Sequence, residues 1–271
     1  MALCDRFFYH PTRKRYADPR DYGLAYQAVD FATRDGQTLC GWFFPAVGAA
    51  HGTVVHCHGN AGNMSGHFEL VRWLPEAGWN LLCFDYRGFG YSTGRPRRRG
   101  IVDDVHAAVE YVCERPDVDA DSVALVGQSL GGAVSIVAVA EGAPVCGLVT
   151  DGAFDSYQGA TRWLLSESWL TWGAARPAAR WLISPGLDPI DYVAQIAPTP
   201  LLIIQGTEDH LIDWHTAERL YEAARQPKDL MIVEGAGHFD AFETAADLVR
   251  PKVLRFLADC VQTPLCREQR A

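Results

Sequence analysis

The sequence predicts an α/β architecture: a mostly parallel sheet with helices on both faces. Three observations carry this. Short apolar runs such as "TVVHCHG" (53–59), "SVALVGQ" (122–128) and "TPLLIIQG" (199–206) recur along the chain. Stretches of helical length separate them, and glycine stands at or beside the end of each run. Strands that lack polar alternation are buried on both faces, and strands that alternate with helices make a parallel sheet.

In chain order, the first two strands differ from the rest. "YQAVDFAT" (26–33) and "TLCGWFFP" (38–45) flank "RDGQ", a glycine-containing hairpin turn, so the sheet opens with an antiparallel edge. "TVVHCHG" is followed by a helical stretch over 68–77 and then by the strand run "NLLCFDYRG" (80–88). Val102, Val105, Val109 and Val112 recur at a helical period. "SVALVGQ" leads into the small-residue helix "SLGGAVSIVAVAEG" (129–142) and the strand run "PVCGLVTDG" (144–152). Beyond "TPLLIIQG" come a helix near 214–224, the strand "DLMIVEG" (229–235) and a last helix over 241–260.

The rhythm breaks once. About forty-five residues between "VTDG" and "TPLLIIQG" carry Trp163, Trp169, Trp172 and Trp181. That is too long for a plain crossover, and ligands bind outside the carboxyl ends of strands in such sheets. The expectation is a lid over 154–188, inserted in a single domain spanning 1–271, with Trp163 and Trp169 lining an apolar substrate pocket. The plainer alternative is a pair of covering helices with buried tryptophans.

Composition narrows the function. Of 271 residues, 48% are hydrophobic and 21% charged, as in ordinary globular proteins. A formal net charge of −9 disfavours nucleic acid, and the longest basic run, "GRPRRRG" (94–100), reads as a solvated turn. The eight cysteines show no CxxC pair, and Cys57, Cys83 and Cys146 fall inside apolar runs. They read as reduced core thiols of a cytoplasmic protein. No apolar run is long enough for a transmembrane helix, and "MALCDRFFYHP" lacks the core of a secretory signal. Cys4 leaves room for peripheral membrane contact.

Gly127-Gln128-Ser129-Leu130-Gly131 fits G-x-S-x-G between a strand and a helix. A sharp turn there lifts the serine oxygen clear of the sheet at a helix N-terminus, whose partial positive charge favours an anion. Serine is a weak nucleophile and needs a base, and the base needs a group to orient it. Sites of this kind run Ser, then Asp or Glu, then His along the chain. Asp209 in "GTEDHLI" and His238 in "GAGHFD" each follow a strand and fit those roles. Asp151, after the preceding strand, is the rival acid, while Glu208, Asp213 and Asp240 are nearby carboxylates. His210 reads as a surface or lid-contacting residue.

"HGTVVHCHGNAGNMSGH" (51–67) packs four histidines and a cysteine into one stretch. In a strand, His56 and His58 point to one face and Cys57 to the other. That layout does not converge ligands on a tetrahedral centre, so no metal is expected. Gly59, Asn60, Ala61 and Gly62 instead offer backbone N–H groups. Acyl transfer builds charge on a carbonyl oxygen, and one preorganised donor there is worth about 2.7–4 kcal/mol. The expected donors are the N–H of Asn60 and of Leu130, with His58 and Asn63 bracing the loop.

Together, "HGNAGN", "FDYRGFGYSTG", "VGQSLGG", "GTEDHLI" and "GAGHFD" resemble the α/β-hydrolase superfamily over nearly the whole chain. They look like the branch with the abhydrolase-domain depalmitoylases and the serine-aminopeptidase-like bacterial hydrolases. The resemblance implies eight mainly parallel strands, a Ser–Asp–His triad and no cofactor. Two departures stand out: only Cys4 is available where the depalmitoylases carry a cysteine-rich segment, and the membrane anchor that often precedes a phrase like "FFYHP" is missing. The expected activity is serine hydrolysis of a carboxylic ester or thioester with an apolar acyl part. An aminopeptidase or amidase on the same triad is the alternative, for which Glu167 would have to hold an α-ammonium. A non-catalytic binding protein would need none of these groups.

Overall fold

The computed structural model describes residues 8–166 and 175–262. The apolar runs form β1 (Gln27–Ala32), β2 (Thr38–Phe44), β3 (Gly52–Cys57), β4 (Trp79–Phe84), β5 (Val123–Gln128), β6 (Gly147–Asp151), β7 (Leu201–Gly206) and β8 (Lys228–Val233). They make one eight-stranded sheet in the order β1-β2-β4-β3-β5-β6-β7-β8. β2 is antiparallel to both neighbours, β1 and β4, and the remaining pairs are parallel. The β1–β2 turn uses Gly36 at φ 82°, where a side chain would be strained. The antiparallel edge is as the sequence predicts.

β3 lies between β4 on one side and β5 on the other, so the winding reverses there. In such sheets the crevice at the reversal, beyond the strands' carboxyl ends, is the natural ligand site. Both the "HGNAG" loop after β3 and the elbow after β5 lie at this reversal.

Each buried strand serves two cores by its period of two. Val55, Cys57, Leu125 and Ile203 pack with α1 (Arg98–Cys113) and α2 (Leu130–Ala140). Val54, Ala124, Val126 and Leu202 pack on the other face with Phe68, Phe242 and the C-terminal helix. Between β6 and β7, α3 (Tyr157–Ser166) and α4 (Ala175–Leu182) pack against each other. α5 (His215–Ala223) precedes β8, and α6 (Ala246–Gln262) closes the described chain.

Two helices differ from expectation. The stretch over 68–77 is a short helix, Met64–His67, then a 3₁₀ turn, Phe68–Leu70, and further turns. Pro75 cannot donate within a helix and Gly78 turns the chain at φ 83°. Phe68, Val71 and Leu74 still reach the core. The last helix is divided at Ala245 into Ala241–Thr244 and α6.

One arginine of the basic run is an internal brace, while Arg95, Arg97 and Arg99 are exposed as a solvated turn would have them. Arg98 is buried, and its Nη1 donates to the carbonyls of Ser184 (2.5 Å) and Gly186 (3.1 Å) while the guanidinium lies over Tyr157. Arg99 pairs with Asp103 and Glu141. Cys57, Cys83, Cys146 and Cys260 are buried and form no disulfide among the described residues. Among the described residues no helix is long and apolar enough to cross a membrane. Cys4 lies outside the described residues.

Candidate active site

At the end of β5 the chain turns sharply. Ser129 has φ 52° and ψ −111°, a conformation that costs an L-residue on the order of 1–3 kcal/mol. The surroundings hold it there: its N–H donates to Asp151 O (2.8 Å), and its carbonyl accepts from Ala133 N–H (3.0 Å). The flanking glycines are required by contact. A Cβ on Gly131 would stand 1.9 Å from the carbonyl oxygen of Cys57, and one on Gly127 would stand 2.6 Å from the Gly131 carbonyl. Main chain therefore packs on main chain where α2 begins beside the end of β3.

Asp209 follows β7 and His238 follows β8, on neighbouring strand ends. His238 Nδ1 lies 2.6 Å from Asp209 Oδ2. The same oxygen accepts from Gln205 Nε2 (2.9 Å), and Oδ1 accepts from the N–H groups of Leu211 and Ile212 (both 2.9 Å). Burial pushes this carboxyl up, but His238 and these donors outweigh it and hold the acid below the usual carboxylate range. A carboxylate that receives Nδ1–H leaves Nε2 of the imidazole free to accept a proton.

The rival acid is in a different state. Asp151 ends β6, is buried, and its Oδ2 has no hydrogen-bond partner. Burial pushes its pKa up to about 7, with Asp209 and Asp240 adding to the rise and the charge of His238 opposing it. Glu208 holds its loop through its peptide N–H, which donates to Ala236 O (2.9 Å). Asp213 bonds to His215 and Arg219, and Asp240 accepts from Gly237 N–H. The His210 carbonyl accepts from Trp163 Nε1.

The four histidines of the "HGTVVHCHGNAGNMSGH" stretch diverge. His56 Nε2 donates to Gln128 Oε1 (2.8 Å), His58 Nδ1 to Gly59 O (2.7 Å) and His67 Nε2 to Ala61 O (2.8 Å), while His51 packs against Trp79. Burial pushes His56 down to about 3 and His58 well below its ordinary value, so both rings are neutral. His58 Nε2 stands 3.5 Å from Asp85 Oδ1, which accepts from Met64 N–H (2.6 Å). Asn63 donates to Thr12 O and Lys14 O and caps Ser65 N–H. His58 and Asn63 thus brace the loop from both sides.

Ser129, His238 and Asn60 line one cavity of about 360 Å³. Its walls are apolar, formed by Phe8, Phe154, Leu164, Ile183, Ile212 and Phe239 among others. The Leu130 side chain is buried away from it in the core. Trp163 is a correction: it does not line this cavity. Ala160, Thr161 and Leu164 face it, and one residue back on α3 turns Trp163 aside, to a small separate hollow that it lines with Thr216 and Arg219. Trp169, Trp172 and Glu167 lie outside the described residues. A larger hollow of about 500 Å³, lined by Arg162, Arg180 and Arg219, opens on the opposite side of α3, away from Ser129.

Several cavity residues carry no sequence signal. Phe239, at φ 73°, lies over Gly59, where a Cβ would meet its ring at 2.8 Å. Phe8 and His10 come from a segment with no periodicity. Gln205, which bonds Asp209, sits inside an apolar strand and reads as a strand residue.

This sheet order, with its strained serine elbow at the reversal of winding, defines an α/β-hydrolase. Comparison with known proteins places it more narrowly: the family model for serine aminopeptidase S33 (Hydrolase_4) matches residues 48–195, and the chain belongs to that family. The chain is 36% identical over 259 residues to YfhR of Escherichia coli O157:H7, covering 93% of this chain and 86% of YfhR. It is 28% identical to the α/β-hydrolase domain-containing protein WAV2 of Arabidopsis thaliana, covering 88% of this chain and 80% of WAV2. Among solved structures, the Pyrococcus furiosus esterase Pf2001 superposes with a TM-score of 0.78 at 21% identity, covering 92% of this chain and 97% of that one.

Proposed function

We propose that the protein is a serine hydrolase that cleaves carboxylic esters or thioesters with an apolar acyl group. The observation that carries this reading is a strained Ser129 opening onto an apolar cavity beside a histidine already bonded to a carboxylate. Ser129 Oγ attacks the acyl carbon as His238 Nε2 takes its proton. The oxyanion of the tetrahedral intermediate is received by the N–H groups of Asn60 and Leu130. The intermediate collapses to an acyl-enzyme, and the leaving alcohol or thiol departs with the proton from His238. Water, deprotonated by the same imidazole, then attacks the acyl-enzyme, and Ser129 recovers its proton. Asp209 holds the tautomer and stabilises the imidazolium throughout. No step requires a cofactor.

The family description raises aminopeptidase activity as the second reading. A free α-ammonium needs a carboxylate beside it, and among the described residues lining the cavity none is acidic. The esterase neighbour agrees with the ester reading. We take residues 154–188 as the lid of this pocket within a single domain, and the cytoplasm as its place of action.

A fluorophosphonate probe tests the nucleophile: parent protein should be labelled, and Ser129→Ala should lose both label and turnover. A panel of p-nitrophenyl esters, acyl-thioesters and aminoacyl-anilides tests the class. Faster turnover of an anilide than of any ester would overturn the ester assignment.

A further inference from the structure

The loop after β3 must hold one peptide N–H against a developing charge, yet Gly59, Ala61 and Gly62 give it little stiffness of its own. Its support comes from outside the sheet. His10–Pro11 pairs in parallel with Ala61–Gly62, and Thr12 N–H donates to Gly62 O (3.0 Å). Asn60 Nδ2 donates to Phe8 O (2.5 Å), and Oδ1 of the same amide has no partner, so among the described residues this tie is the side chain's one bond. Asn63 Nδ2 donates to Thr12 O (2.8 Å) and Lys14 O (2.7 Å), and Ser65 Oγ accepts from Tyr16 N–H (3.0 Å). The Tyr16 ring covers Gly62 and Gly66, where added Cβ atoms would meet it at 3.3 and 3.2 Å. At its other end this segment is anchored by Phe8, whose ring packs edge-on against Phe154 and Tyr157.

We propose that residues 8–16 form a strap that positions the oxyanion loop, with Asn60 as the positioning residue: its side chain, tied to the Phe8 carbonyl, fixes the direction of its own peptide N–H. The strap lies outside the residues the family model matches, 48–195. The inference rests on the reading of Ser129 as the nucleophile and of Asn60 N–H as an oxyanion donor. Deleting a donor outright costs roughly 10²–10³ in kcat elsewhere. Loosening a donor that is still present should cost less, about 10- to 100-fold.

The test uses the full chain with p-nitrophenyl acetate, whose acetyl group offers little apolar surface to the cavity walls. Asn60→Ala keeps the peptide N–H and removes the tie, Asn60→Asp sets a carboxylate against the Phe8 carbonyl, and Phe8→Ala releases the strap's anchor without touching the amide. All three should lower kcat with KM little changed, and should weaken an alkyl boronate inhibitor by the same factor as kcat. Thermal melts should show each variant folded, because the strap lies outside the sheet. An unchanged kcat in Asn60→Ala, or a loss confined to KM, overturns the inference. So does a Phe8→Ala variant with parental kcat, since Asn60 would then act without the strap. Full activity in Ser129→Ala would instead defeat the underlying reading, and it is measured separately.

Discussion

Replacing Asp209 by asparagine isolates the role of one oxygen. Oδ1 accepts two peptide N–H groups, so the asparagine carbonyl oxygen is kept on that side and its NH₂ faces His238 and Gln205. Facing a donor, His238 Nδ1 must become the acceptor. The ring proton moves to Nε2, which then cannot take the proton of Ser129. A wrong tautomer of this kind costs about 10⁴ in kcat in a serine protease, or about 5.5 kcal/mol of barrier. Folding should suffer little. Gln205 Oε1 has no partner, so a rotation of that amide presents its oxygen to the new NH₂. Asp151→Asn should behave differently, because the Asp151 side chain has no bond to His238 and its Oδ2 has no hydrogen-bond partner. It should keep kcat within several-fold. The assay is p-nitrophenyl butyrate hydrolysis at pH 8, with thermal melts of each variant. Retention of more than a tenth of parental kcat in Asp209→Asn, together with collapse in Asp151→Asn, would refute the reasoning.

Four further outcomes are expected. Asp151 carries a folded pKa raised from 3.8 to about 7, so between these values the folded state keeps a proton that the unfolded state has lost, and stability falls as pH rises through that window. Asp151→Asn should therefore match the parent near pH 4 and exceed it above pH 7, by at most about 4 kcal/mol; an equal gain at both pH values contradicts this. Leu164→Ala should lower the octanoyl-to-acetyl ratio of kcat/KM by about fourfold or more, since each buried methylene is worth about 0.8 kcal/mol. Trp163→Ala should lower Tm and leave that ratio unchanged, and a flattened profile in the tryptophan variant would return Trp163 to the pocket. EDTA or phenanthroline should leave turnover intact, because His56, His58 and His67 are each bonded elsewhere; loss restored by zinc would contradict the oxyanion-loop account.

The sheet was legible because its strands are local signals: continuous apolar runs that end at glycine turns. The adjacency of Asp209 and His238 could also be read, since each follows a run that becomes one of two neighbouring strands. The strap could not. Its pairing joins two residues near the start of the chain to two residues fifty positions on, and neither pair has a composition that marks a strand. Pro75 was visible, but its neighbours Phe68, Val71 and Leu74 have a helical period and bury through turns instead. The direction of Trp163 depends on which side of α3 meets the cavity, a tertiary matter that one amphipathic helix leaves open. Phe239 was hidden because a left-handed phenylalanine is set by its surroundings.

The contact of Gly131 with the Cys57 carbonyl spaces the elbow and the neighbouring strand end by main-chain atoms alone. No side chain sets that distance, so core residues around it can exchange volume over generations without altering it. On the proposed reading, the geometry of the elbow and the choice of substrate would thereby rest on different parts of the chain. Leu164 and Ile183, which line the cavity beside Ser129, could change toward a new acyl group while the backbone gauge stays as it was. A change of substrate at those walls would then leave the Gly131 contact, and the spacing it sets between elbow and strand end, untouched.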